Sequence, residues 1–476
     1  MSTETLTYTI DPEIPESYVD SLYEYIYGKY LLAQKERFAD ISKKTAPGEW
    51  ELTFSALDSS GKRRLSVRVS GDKPMSVSIA PIASTVREEE ISQFREDIDV
   101  AIDLFEQQVR KNSLVFAWRE GESIVPEAVS AKEKSLQRMF LGTQILLMAL
   151  FMGIGLFLFF LIGPLVPIVL LAIQFIFVFY SNRIIARSAD WHITENNPMI
   201  HLLEYPLSPE NDASAKKISK DDLVKLKKEI YMETISKTGE LDLQKAHGIF
   251  SKFGIDLNLE NLMARKVNVY QLVKKVADRF GFPIPEIVVS NTLLPNAAAS
   301  GPSPSRGVVL TTTGLFTQLD DDEILSVLGH EFGHLKGRDP LWLYGLSAAQ
   351  YLFWFYVIFG IFPTASFFVL IIYFWALTTL TYFVAKFFEA RADLTSAIMM
   401  GRPKVLADAL EKIGFQRLLY ERAPSFRVQE WLSMDPHPPI YFRIERLRSL
   451  AKFSEIKHPL IRSAKEVTRG FLHSLS

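Results

Sequence analysis

"TQLDDDEILSVLGHEFGHLKGRDP", residues 317–340, places His330 and His334 four residues apart with Glu331 directly after the first. On a helix, positions four apart share a face, so both imidazoles can reach one metal ion, and Glu331 stands beside them to take a proton from water. The other reading is a polar stripe on an ordinary helix. With 8 histidines in 476 residues, however, an HExxH spacing seldom arises by chance. Asp320, Asp321 and Asp322 suit a helix N-terminus, and Ile324, Leu325, Leu328, Phe332 and Leu335 supply an apolar face.

A catalytic metal centre needs a third protein ligand. "FFEARADLTSA", residues 387–397, offers Glu389 as that ligand, with Asp393 one turn on to accept the free ring N–H of His330. An ExxxD pair alone says little, because carboxylates at this spacing are common on solvated faces. Paired with HExxH it completes a set for one Zn²⁺ per chain.

The two motifs lie on either side of an apolar stretch, Leu341 to Ala385, which carries no charge and is interrupted at Gly360–Pro363. A similar stretch from Phe140 to Tyr180 is broken by "IGPLVP", Ile162–Pro167. Each is long enough for two membrane spans, giving two hairpins. Lys132, Lys134, Arg138, Arg183, Arg187, Lys336, Arg338, Lys386 and Arg391 flank them and the tips carry no charge, so both termini and the segment between the hairpins are expected in the cytosol. The first residues show neither a basic start nor an apolar run, so no secretory signal is expected there.

The expected organisation is a cytosolic α+β accessory domain (1–130), hairpin 1 (136–182), a cytosolic catalytic region (183–340), hairpin 2 (341–386) and a helical region that completes the metal site (387–476). The fold class is α+β, predominantly helical, embedded in a membrane through four spans. A hydrophobic fraction of 48% fits a chain partly in lipid. A net charge of −2 without basic–aromatic runs argues against nucleic acid, and the absence of cysteine excludes thiol nucleophiles and cysteine metal sites.

"VYQLVKKVADRFGFPIPEIVVSNTLLPNAAASG", "TTTGLFTQLDDDEILSVLGHEFGHLKGRDP", "FFEARAD" and "DPHPPIYFRIERL" together resemble the HtpX-type integral membrane zinc metalloproteases, relatives of the CAAX prenyl proteases. The resemblance covers roughly 265–450. It implies a zincin-like fold, His330, His334 and Glu389 as zinc ligands, Glu331 as general base and Asp393 behind His330. "HPPIYFR" resembles a late family element that would put His437 and Arg443 near the transition-state oxyanion. Asn296, Ala297, Ala298 and Ala299 stand where the family has a substrate-pairing strand, with alanine replacing its usual aromatic. The resemblance further implies an endopeptidase of a prokaryotic plasma membrane that cleaves membrane or misfolded proteins in quality control. Prenyl-peptide processing and a non-catalytic membrane scaffold are the alternatives.

Overall fold

The computed structural model describes residues 5–46, 49–58, 60–71, 73–82, 85–121, 157–207, 219–255, 257–360, 367–421, 424–451, 453 and 456–475. The chain forms two compact units, Met1–Phe116 with Leu203–Ala264, and Ala117–Leu202 with Arg265–Ser476. The divisions fall within the strands Ser113–Arg119, Met199–Pro206 and Met263–Asn268. A linear boundary near residue 130 thus gives way to an interleaved one, in which part of the expected catalytic region groups with the N-terminal residues.

In the first unit, strands β1 (Leu6–Ile10), β2 (Phe38–Ala46), β3 (Glu49–Leu57), β4 (Arg63–Ser70) and β5 (Met75–Pro81) form an antiparallel sheet in the order β1-β5-β4-β3-β2. Alternation explains the face each residue takes: Leu65, Val67 and Val69 point inward while Arg64 and Arg68 point outward. The helix Glu88–Lys111 contributes Ile91, Phe94, Ile98, Ile102 and Phe105, at helical spacing, to the same core.

The second unit carries a four-stranded sheet of β6 (Trp191–Ile193), β7 (Glu286–Ser290), β8 (Ala297–Ser300) and β9 (Val308–Thr312), ordered β8-β9-β7-β6. β7 and β9 are parallel, with Val288, Val289, Val308 and Val309 buried alongside the threonines Thr311 and Thr312. β8 lies at the edge, antiparallel to β9.

The helices of this unit include α1 (Val166–Phe179), α2 (Asp321–Gly337), α3 (Asp339–Gly360), α4 (Phe367–Met400), α5 (Pro403–Glu421), α6 (Ile440–Arg448) and α7 (Pro459–Ser474). Among the described residues, two helical stretches are long and apolar enough to cross a membrane, Phe157–Phe179 and Ile371–Met400, and only 17% of the most apolar window of each is buried inside the protein. Phe160 is 80% exposed and Phe368 75%, which water would penalise and lipid would not. The expected first span of hairpin 1, up to residue 156, and the tip of hairpin 2, 361–366, lie outside the described residues. Gly163 adopts a left-handed φ of +59° within the expected break "IGPLVP".

α3 and α4 run antiparallel. Gln350 donates to Thr378 across the pair at 2.9 Å, and Trp354 meets Phe374 with ring centroids 5.8 Å apart. α3 also lies along α1, where Tyr344 donates to the Leu171 carbonyl at 2.8 Å and Tyr356 to that of Pro164 at 3.0 Å.

Candidate metal centre

Helix α2 starts where its sequence directs. Asp320 accepts from the Glu323 amide at 2.8 Å and Glu323 returns the bond to the Asp320 amide at 2.9 Å, closing a capping box. Ile324, Leu328, Phe332 and Leu335 are buried on one side. The helix stops at Arg338, whose φ of +54° turns the chain into α3, so α2 and the first helix of the apolar hairpin are separate elements. α4 does continue, in one 34-residue helix, from the apolar stretch through Glu389 and Asp393.

Gly329, Gly333 and Gly337 recur every fourth residue on the side of α2 that faces α4. A Cβ at Gly333 would lie 3.0 Å from the Ala392 Cα and 3.1 Å from its carbonyl oxygen; at Gly329 it would lie 2.7 Å from Ser396 and Met400 side-chain atoms. The two backbones therefore approach closely because these positions have no side chain, and that approach brings the two motifs together.

The result is a compact donor set. The Nε2 atoms of His330 and His334 are 3.1 Å apart, and Glu389 carboxylate oxygens lie 3.5 Å and 3.4 Å from them. Ligand atoms of the three residues all fall within 4.8 Å of one another. Ligands about 2.0–2.1 Å from a tetrahedral ion stand roughly 3.3 Å apart, so the triangle has the right size.

Its chemistry also calls for a cation. His330 Nδ1 lies 2.9 Å from Asp393 and His334 Nδ1 lies 2.7 Å from Asp339. The His334–Asp339 hydrogen bond favours a ring proton on Nδ1 of His334, and the Asp393 carboxylate facing His330 Nδ1 favours the same tautomer there; the two Nε2 lone pairs then face the same space, where a proton or a metal ion relieves their repulsion. Glu389 Oε2, buried, has no hydrogen-bond partner. Burial disfavours a charged His330, but the neighbouring Asp393 and Glu389 carboxylates outweigh it and push its pKa up to about 10.

The supporting shell contains residues that sequence reading did not single out. Asp339, 1% exposed, also pairs with Arg391, one turn before Thr395 on α4. It sits five residues after His334, past the helix end, where no periodic spacing marks it. Arg443, at the buried face of α6, makes a two-pronged contact with Asp393 at 2.9 Å and 2.7 Å. Its described hydrogen bonds go to that carboxylate, behind His330.

α6 is fixed by Glu421, fully buried at the end of α5, which accepts from the Ile440 and Tyr441 amides at 3.0 Å and 2.9 Å. Just before α6, His437 places Nε2 3.6 Å from Glu389, while its Nδ1 is 2.7 Å from Asp435. Asp435 resists the penalty of burial because His437 and Arg417 hold its carboxyl well below the usual carboxylate range. No pattern in the sequence signalled Asp435 as a partner of His437.

Edge strand β8 borders the donor set. Thr312 donates to the Asn296 carbonyl, so the residues of β8 that bond to β9 are the even-numbered ones, and Ala297 and Ala299 turn their backbone groups outward. Glu331 accepts from the Ala299 amide at 2.9 Å. A carboxylate next to the metal ligands thus touches the open edge of a sheet.

The sequence model of Peptidase family M48 matches residues 263–451. A Protease HtpX homolog of Gemmatimonas aurantiaca is 30% identical over 213 residues, covering 38% of this chain and 75% of its own length. One of Pyrococcus furiosus is 32% identical over 217 residues, covering 38% and 73%. This chain belongs to peptidase family M48. The M48 match spans all of the donor set and its supports, from β8 to α6. The crystal structure of S. mikatae Ste24p is similar at 19% identity and a TM-score of 0.31, over 38% of this chain and 50% of that one. As an M48 peptidase with long, outward-facing apolar helices, the protein is a membrane metalloprotease. The metal, in this M48 chain, has a donor set of two imidazoles and a carboxylate ready for it.

Proposed function

We propose that this M48 protein is a zinc-dependent endopeptidase of the membrane surface, acting on the cytosolic side on extended segments of membrane or misfolded proteins. The observation that carries the reading is the meeting of three elements: the His330, His334 and Glu389 ligand atoms within 4.8 Å, Glu331 beside them, and an edge strand whose Ala299 amide Glu331 holds.

Two imidazoles and one carboxylate suit zinc and leave room for water and a carbonyl oxygen. Bound there, zinc would acidify water and polarise a scissile carbonyl. Glu331 takes the proton from the attacking water and delivers it to the leaving amine. Ala297 and the Ala299 carbonyl pair with an extended substrate, the Ala299 N–H being held by Glu331, and such pairing tolerates many sequences because side chains contribute little. Asn296 anchors the start of this strand through Thr312 at 2.9 Å, and Ala298 ties it to β9. His437, oriented by Asp435, donates toward the developing oxyanion, and Arg443 acts on the same charge through Asp393 and His330.

The four-span, two-hairpin topology with both termini and the site in the cytosol follows from the basic flanks of the apolar stretches. The domain organisation proposed is a 1–130 accessory region whose first 116 residues fold with Leu203–Ala264, and a membrane-anchored catalytic remainder.

The test measures bound metal and cleavage together, for the native protein and Glu331→Gln, against an unfolded soluble protein and a membrane-tethered substrate. One zinc per chain in both proteins, with cleavage by the native one alone, supports the reading. Zinc without cleavage of either substrate moves the assignment to prenylated peptides or to a scaffold, and absence of zinc sinks it.

A further inference from the structure

The C-terminal helix α7 carries charge and apolar surface that the peptidase reaction does not use. It packs on α4 through Val467 and Phe471, while Ser463 accepts from Arg446 of α6 at 2.9 Å: Val467 joins Ala390 and Trp431 in a small core, and the Phe471 ring meets Phe383 edge-on at 5.3 Å. Phe383 belongs to the charge-free stretch that ends at Lys386, whereas Ala390 lies beyond it. α7 therefore descends along α4 and reaches the level of the apolar stretch at Phe471.

Lys465, Thr468, Arg469 and Leu472 of the helix are exposed, as is Leu475 at its C-terminal cap. Leu472 is 60% exposed and Leu475 56%. At 1.5 Å per residue, Arg469 and Lys465 stand about 3 Å and 9 Å above Phe471, the depth of a headgroup layer. Lys457, His458, Arg462, Lys465 and Arg469 line a cavity of about 560 Å³, in which Glu466 is drawn to Arg446 and Arg462. A basic flank directly above an apolar tip is the pattern of a helix that engages anionic lipid.

We propose that the end of α7 dips Phe471, Leu472 and Leu475 into the acyl boundary while Lys465 and Arg469 bind the phosphates of anionic phospholipids in the cytosolic leaflet. This rests on the membrane placement of α4 and not on the identity of the substrate or the metal. Because α7 packs directly on the helix that carries Glu389, lipid composition gains a route to the metal centre.

The absence of cysteine allows single-site labelling. Nitroxides are placed at Leu472→Cys, Leu475→Cys and, as an exposed control, Lys404→Cys, in nanodiscs of phosphatidylcholine alone or with about a third phosphatidylglycerol. The expected result is that the Leu472 and Leu475 labels collide more with oxygen than with a water-soluble nickel chelate in anionic discs, and the Lys404 label does the reverse. Lys465→Gln with Arg469→Gln should return the Leu472 label toward water; each charge is worth about fivefold near an anionic leaflet. Zinc content and cleavage of a soluble peptide in detergent should not change in that variant, which separates loss of lipid contact from loss of the peptidase. A label at Leu472 that stays in water in anionic discs overturns the proposal. So does equal lipid exposure in neutral discs or in the double variant, or a shift reproduced in neutral discs by inorganic phosphate alone.

Discussion

His334 Nδ1 lies 2.7 Å from Asp339 Oδ2, across the break between the metal-binding helix and the apolar helix that follows it. Asp339 is buried and tied to Arg391 on the helix of Glu389, so one carboxylate fixes a ligand's tautomer and joins both ligand-bearing helices. Asp339→Asn keeps the shape but weakens the hold on the His334 N–H. Metal affinity should fall about 10- to 100-fold, measured by competition with a chromophoric chelator. Unchanged affinity would show that His334 needs no such support.

Gly333→Ala tests the close approach of the helices. The methyl would meet the Ala392 backbone, which cannot swing away as a side chain does. Loss of about 1–3 kcal/mol of stability is expected, despite the better helix propensity of alanine, together with reduced metal content. Gly345→Ala, at a position with nothing within 4 Å, should be neutral or slightly stabilising. Equal thermal shifts for the two variants would contradict the packing argument.

Asp435→Asn should lower kcat with little change in KM and full metal content, because it disturbs His437 without touching a ligand. A loss of metal instead would mean that His437 supports Glu389 in the resting site, from which it is 3.6 Å away.

His201 gives a pH dependence unrelated to the metal. It is 1% exposed, its Nε2 has no partner, and burial, with Lys266 nearby, pulls its pKa from 6.5 to about 4. Between those values the unfolded chain binds a proton that the folded one refuses, so stability falls as pH drops from 6.5 toward 4, by at most about 3 kcal/mol. His201→Gln should flatten this part of the profile of melting temperature against pH. An identical slope would assign the acid sensitivity to other groups.

The donor residues were legible because periodicity carries them: HExxH and ExxxD each put two groups on one helical face. β-Branched residues mark Glu286–Ser290 and Val308–Thr312 as strands in the sequence, and Arg64 and Arg68 alternate with the core residues of β4 as a half-buried strand requires. Asp339 and Asp435 were not legible, since each acts through a chain turn and no spacing rule reaches across one. The grouping of Leu203–Ala264 with the N-terminal residues was equally hidden, because linear composition changes little where the chain passes from one unit to the other within a strand. Gly329, Gly333 and Gly337 could have been noticed as a four-residue repeat of small residues, but what they pack against is a tertiary fact.

The placement of α3 and most of α4 between His334 and Glu389 also governs the order in which the protein is built. A growing chain delivers both imidazoles first and then the entire second apolar stretch before the third ligand leaves the ribosome. Until α3 and α4 have paired and folded Glu389 back onto α2, the nascent chain has no complete centre with which to cut itself or its neighbours. Synthesis order thus postpones the completed centre until the second apolar stretch has been made and folded.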